Sequence, residues 1–390
     1  MTARQLLDRV RHLAPDRPLR TLWRTTGYKL RPPRPVPHQP RVTRRRDALL
    51  AAGRARAEQQ ARVSCELRPG RLPTIVVGGF VPDATEALYL QRGMLLRQGS
   101  VYYLNYPTDG FLLELLFAQL DDLIEELAFD HGCMPVMIGV SFGCGVLLEW
   151  MRHLRRGDTP CRVRGVVFVS PVTCPADIVE PGALKPATLL GRALRPFMED
   201  QGRRADGRHV EKCRSLLLRM FESGSLNRRA IRMVMTPAEL LHVRHRVMTT
   251  LRAITLRGAV ERVAALTAME APVGYYTQLL APLCEAPVLV LFAEKETSVL
   301  TESAPTLAVL GLHPQALFPT VQVRTVINRR GAPVQHASML FHCFNFASHL
   351  SNFYRVMREH VRLEHTHIRP RMLDAWLSPF RRRVTQARVA

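Results

Sequence analysis

Apolar and polar positions between residues 74 and 358 follow two alternating periods. Short apolar runs rich in β-branched residues occur at 74–80 (TIVVGGF), 101–107 (VYYLNYP), 135–140 (PVMIGV), 164–172 (RGVVFVSPV), 287–295 (PVLVLFAEK) and 321–327 (VQVRTVI). Each predicts a strand, and the near-continuous apolar character is what burial on both faces requires. Residues 112–132 place apolar side chains three and four apart and end in His-Gly. That spacing predicts a long helix closed by a glycine C-cap. Residues 144–156 and about 338–358 predict two further helices. Alternation of this kind implies an α/β fold, with a mostly parallel sheet covered by helices on both faces.

One interval breaks the alternation. Residues 173–280 show no convincing strand, but helical periodicity recurs near 186–199, 209–222, 227–235, 237–255 and 258–268. A connection that long folds as a layer of its own. It is therefore expected to be a helical cap, inserted after the fourth predicted strand into a core made of residues 61–172 and 281–365. Residues 1–60 are expected to be a basic, Pro-rich extension. It would hold a short amphipathic helix at 3–13, an extended stretch with five prolines at 31–40, and a basic helix at 44–60. Residues 366–390 are expected to be a basic tail.

Composition narrows the classes. At 390 residues with 47% hydrophobic and 23% charged side chains, the chain is a globular protein and not a disordered one. The net charge of +22 invites a nucleic-acid reading, yet only four of the 55 basic residues are lysines. Residues 1–60 carry +11, residues 366–390 carry +5, and the other 305 residues carry only +6. No nucleic-acid partner is expected. The basic ends suit peripheral contact with an anionic membrane or an acidic partner. The eight cysteines form no CxxC pair, disulfide framework or zinc spacing, and no HExxH occurs. A reducing, cytoplasmic setting without a metal is expected. No secretory signal, spanning apolar segment or nucleotide-binding glycine loop is read, so no cofactor is expected.

The third predicted strand runs into Gly139-Val140-Ser141-Phe142-Gly143, followed by a predicted helix. A serine on so tight a strand-to-helix turn needs strained backbone angles and small neighbours, which Gly139 and Gly143 provide. The helix N-terminus behind it favours developing negative charge. On this elbow and the order of elements over about residues 70–360, the chain resembles the α/β-hydrolase superfamily. The resemblance implies Ser141 as nucleophile and an oxyanion hole made by two backbone N–H groups. One is that of Phe142. The other lies after an earlier strand, at Gly78-Gly79-Phe80, with Phe80 the candidate and Gly79 and Val81 its neighbours.

The same resemblance implies an acid after the strand that follows the cap. Glu296 takes the place of the aspartate common there, with Glu294 and Asp177 as alternatives. It implies a histidine in the loop after the last strand, where His336 stands; His342 lies within the following helix. Members usually carry two further strands at the start, and the residues before 74 leave little room for them, so a shortened sheet is expected. The implied activity is that of a serine esterase or lipase-like hydrolase on a small carboxylic ester or thioester, through an acyl-serine intermediate. Two alternatives stay open: an acyltransferase using the same triad with a non-water acceptor, and a non-catalytic binding protein on this scaffold. Apolar cap residues such as Leu216, Leu217, Met220 and Phe221 either line an acyl pocket or pack the cap onto the core.

Overall fold

In the computed structural model, residues 33–365 are described apart from 69–71, 82–83, 226–230, 232–234 and 330. The helix expected at 3–13, most of that expected at 227–235 and the tail at 366–390 lie outside the described residues. Eight strands form one sheet: β1 Val36–Pro37, β2 Arg62–Glu66, β3 Thr74–Val77, β4 Val101–Asn105, β5 Val136–Val140, β6 Gly165–Val169, β7 Val288–Ala293 and β8 Val321–Val326. Their order is β1-β2-β4-β3-β5-β6-β7-β8. All pairings from β4 through β8 are parallel, and β2 pairs antiparallel with both β1 and β4. Among the described residues, the α-helices of eight or more residues are α1 Arg44–Ala51, α2 Thr85–Leu95, α3 Leu113–His131, α4 Phe142–Arg156, α5 Leu189–Met198, α6 Gly207–Ser225, α7 Pro237–Ala253, α8 Leu256–Ala268 and α9 Cys343–His365.

Every residue of β3, β5, β6 and β7 is buried. Successive side chains point to opposite faces, so the sheet is covered on both. Edge strand β8 instead exposes Arg324 and Thr325. α3 ends as its sequence predicts, with Gly132 left-handed at φ 64°.

The sheet is not shortened, contrary to expectation. β2 and β1 extend it beyond β4, so the stretch read as an appended extension joins the sheet from Val36 onward. The physical reason is their place at the end of the sheet, where β1 is the edge and covers only two residues of β2. In β2 only Cys65 is buried, so it needs no apolar run. β1 is two residues long and ends in Pro37, and proline is tolerated where the ladder ends.

α1 is fastened to α3 by carboxylates that cap its start. Glu126 Oε2 accepts from the Arg41 and Val42 N–H groups at 2.8 and 3.2 Å. Asp122 Oδ2 accepts from those of Arg45 and Arg46 at 3.2 and 3.1 Å. Free N–H groups at a helix start favour negative charge. The guanidinium of Arg44 reaches Glu125 at 2.7 Å, and that of Arg45 reaches Asp122 and Glu125 at 2.9 Å each. Much of the basic character at 41–45 is thus matched within the chain.

Residues 170–287, between β6 and β7, hold α5 to α8 and, among the described residues, no strand. α5, α7 and α8 each start at a threonine, Thr188, Thr236 and Thr255, whose hydroxyl accepts from an N–H of the first turn. A second unit begins at Ser348, and its described residues are helical as far as His365. Among the described residues, no helix is long and apolar enough to cross a membrane.

Candidate active site

Ser141 stands between β5 and α4 with φ 50° and ψ −117°. Three backbone bonds hold this strained turn. The Ser141 N–H donates to Val169 O at 2.9 Å, and Ser141 O accepts from Cys144 and Val172 at 2.9 and 3.2 Å. The glycines are required by close approach. A Cβ on Gly139 would lie 2.9 Å from the Cys144 backbone, and one on Gly143 would run into the carbonyls of Val77 and Gly78. Phe142 opens α4, so its N–H has no partner one turn back within the helix. Gly79 lies against the serine, where a Cβ built on it would be 3.6 Å from Ser141 Cβ, and the Phe80 and Phe142 ring centroids are 4.9 Å apart.

His336 and Glu296 come from two loops joined by a parallel bridge between Lys295 and Gln335. The Lys295 N–H donates to Val334 O at 2.8 Å, and the His336 N–H donates to Lys295 O at 3.1 Å. This pairing sets the glutamate beside the imidazole. His336 Nδ1 is 2.6 Å from Glu296 Oε2, and His336 Nε2 is 2.9 Å from Ser141 Oγ. Glu296 Oε1 accepts from the Ala293 N–H at 2.5 Å. The imidazole is 6% exposed and the glutamate side chain 5%. With Nδ1–H donating to the carboxylate, Nε2 is left to accept the serine proton.

The serine faces a cavity of about 100 Å³. It is lined by Gly79, Phe80 and Val81 after β3, by Leu217, Met220 and Phe221 of α6, and by Leu190, Val299 and Leu340. Its lining is mostly apolar.

No family model matches the sequence, and no curated protein matches it. Solved structures do match. An esterase from Exiguobacterium antarcticum superposes with a TM-score of 0.51 at 12% identity, over 76% of this chain and 96% of that one. A proposed aryl esterase from Burkholderia cenocepacia gives 0.50 at 16%, over 77% and 96%. A bacterial membrane phospholipase A, described as a virulence factor, gives 0.50 at 14%, over 80% and 92%. The fold is that of the α/β hydrolases.

On this α/β-hydrolase fold, the alternative acids point elsewhere. Glu294 is exposed and accepts from the Asn328 and Val334 N–H groups at 3.4 and 3.3 Å. Asp177 is fully buried and holds two loops together. Its Oδ2 accepts from Thr173 N–H at 2.7 Å and Thr306 Oγ1–H at 2.6 Å, and its Oδ1 from Thr306 N–H at 3.0 Å. Burial raises its carboxyl above the ordinary range. His342 is buried, and burial lowers its imidazole. Among the described residues no group of three or more His, Cys, Asp or Glu side chains could hold a metal.

Three residues at the site escape sequence reasoning. Ser170 follows β6 at φ 44°, in register one strand over from Ser141, and lines the cavity with a buried hydroxyl that has no hydrogen-bond partner among the described residues. Tyr106 donates its hydroxyl to Gly78 O at 2.9 Å. Arg262, from α8, donates to Phe80 O at 3.2 Å. Only Arg262 left a sequence signal: Gly258, Arg262 and Leu266 share one helix face, and all three are buried.

Proposed function

We propose that this protein is a serine hydrolase that cleaves a carboxylic ester or thioester through an acyl-serine intermediate. One observation carries the reading. A strained serine at the head of a helix is hydrogen-bonded to a histidine, which is hydrogen-bonded to a buried glutamate, at 2.9 and 2.6 Å. A serine hydroxyl is a weak nucleophile at neutral pH and needs a base, and the base needs an acid to orient it. In this mechanism Ser141 attacks the carbonyl as His336 Nε2 takes its proton. Glu296 stabilises the imidazolium. The N–H groups of Phe80 and Phe142 receive the oxyanion, each such donor being worth about 2.7–4 kcal/mol of barrier. The imidazolium then protonates the leaving group, and water activated by His336 releases the acid.

The apolar cavity roofed by α6 supports a substrate with a hydrocarbon acyl chain, with the helical insertion acting as the cap. A reducing, cytoplasmic setting belongs to the same reading, since all eight cysteines carry free thiols. The basic termini are read as holding the enzyme near an anionic surface or partner, which salt would weaken. The test is hydrolysis of p-nitrophenyl acyl esters of graded chain length, with and without added alcohol acceptors. The reading expects free acid as the main product and no turnover by Ser141→Ala. A product dominated by the transferred ester would make the protein an acyltransferase instead. An inactive wild type would leave it a binding scaffold.

A further inference from the structure

Arg262 is 1% exposed, and among the described residues no carboxylate is hydrogen-bonded to it. Its guanidinium donates to two backbone carbonyls, Pro107 O at 2.6 Å and Phe80 O at 3.2 Å. It sits over the rings of Tyr106 and Phe111, 5.5 and 5.6 Å from their centroids. Carbonyl dipoles and aromatic faces compensate a buried cation only in part. Burial pushes the guanidinium down to about 10, so it still carries its charge at neutral pH.

The surroundings make this cation a fixed one. α8 is docked on the loop after β4 at several points. The Thr255 N–H donates to Thr108 O at 3.0 Å, and Glu261 Oε2 accepts from the Phe111 N–H at 2.7 Å. Gly258 lets the helix backbone come against the Thr108 carbonyl. From this anchored helix Arg262 holds the carbonyl of Phe80, while Tyr106 holds the carbonyl of Gly78. Burial keeps the Tyr106 phenol protonated and so a donor. The peptide between Gly79 and Phe80, which carries the Phe80 N–H, is therefore gripped on both sides.

Resting on the hydrolase reading above, we propose that Arg262 is a positioning residue for the reaction. It fixes the Phe80 backbone so that its N–H meets the oxyanion, and it sets a permanent positive charge beside the point where negative charge develops. A buried cation compensated only by carbonyl dipoles and rings is costly, and removing it leaves the Phe80 and Pro107 carbonyls without these donors. A role in catalysis therefore predicts a loss of kcat in protein that is still folded.

The experiment compares wild type, Arg262→Met, Arg262→Lys and Tyr106→Phe by kcat and KM on p-nitrophenyl butyrate, by inhibition with a trifluoromethyl ketone, and by thermal melting. Arg262→Met is expected to lower kcat about 100-fold, the scale of a lost oxyanion donor. KM should stay within about twofold, and a cooperative melt should show that the protein is folded. Affinity for the ketone, which mimics the tetrahedral state, should drop by a factor similar to that in kcat. Arg262→Lys keeps the charge without the two-pronged grip and should recover part of kcat. Tyr106→Phe should lower kcat about tenfold at unchanged KM, and it tests the grip even where Arg262→Met fails to fold. Wild-type kcat in folded Arg262→Met, a loss confined to KM, or unchanged ketone affinity overturns the proposal. So does full activity in both Arg262→Lys and Tyr106→Phe. A wild type that a fluorophosphonate does not label overturns the hydrolase reading along with it. Labelled wild type with unaffected variants overturns this proposal alone.

Discussion

Replacing Glu296 by glutamine tests the acid at fixed size. One carboxylate oxygen accepts from His336 Nδ1 at 2.6 Å and the other from the Ala293 N–H at 2.5 Å. An amide satisfies only one of these donors, because it has one acceptor end and one donor end. With its NH₂ toward the imidazole, Nδ1 must become the acceptor, and Nε2 then carries a hydrogen toward Ser141. With its NH₂ toward Ala293, two donors face each other in a buried site. The first arrangement gives the wrong tautomer. In a chymotrypsin-type triad, changing the acid to its amide costs about 10⁴ in kcat through that same tautomer. A loss of the same size is expected here, about 5.5 kcal/mol of barrier. Glu296→Asp shortens the side chain by one bond of about 1.5 Å. It opens the 2.6 Å contact toward about 4 Å, a displacement expected to cost about 100-fold. Steady-state kcat on p-nitrophenyl butyrate, with melting curves to confirm folding, measures both. Glu294→Gln is the control and should stay within about twofold. If Glu296→Gln keeps a tenth of wild-type kcat or more, or Glu294→Gln loses as much, the assignment of the acid fails.

Two further outcomes follow from the surroundings of the site. In Gly143→Ala the new methyl meets the carbonyls of Val77 and Gly78, so the end of β3 and the loop that follows it must shift. A loss of about 1–3 kcal/mol on urea unfolding and at least a tenfold drop in kcat are expected, and an unchanged melt with full activity would contradict the close packing of the elbow. Burial holds the His342 imidazole below its ordinary value of 6.5, so the unfolded chain takes up the proton first. Stability is therefore full above about pH 6.5 and lost as the pH falls below it. His131 and His242 act with the same sign. Urea unfolding at pH 7.5 and 5.5 should show a smaller difference for His342→Leu than for wild type, and an equal difference would refute the origin assigned to it.

What is legible in the sequence follows from which positions are constrained on both sides. β3, β5, β6 and β7 are buried on both faces and so read as apolar runs. Ser141 is legible because its turn forces glycine at 139 and 143. His336 and Glu296 are reached through chain order in the resembled family. No local pattern marks the bridge between Lys295 and Gln335 that joins their loops. β1 and β2 escape because strands at the end of the sheet bury little, and the edge strand β1 tolerates proline. α2 also escapes: Glu86, Gln91 and Arg92 interrupt its apolar face, though Gln91 is itself buried. Tyr106 acts through a backbone carbonyl far away in sequence, and such a contact leaves no periodicity behind.

Everything proposed for the chemistry depends on Ser141 being a nucleophile activated by His336 and Glu296. Incubation with a fluorophosphonate, followed by mass spectrometry of the peptides, tests this most directly. One modified residue is expected, Ser141, with labelling abolished in Ser141→Ala and slowed in His336→Ala. No label on the wild type, or equal labelling of Ser141→Ala, would contradict it.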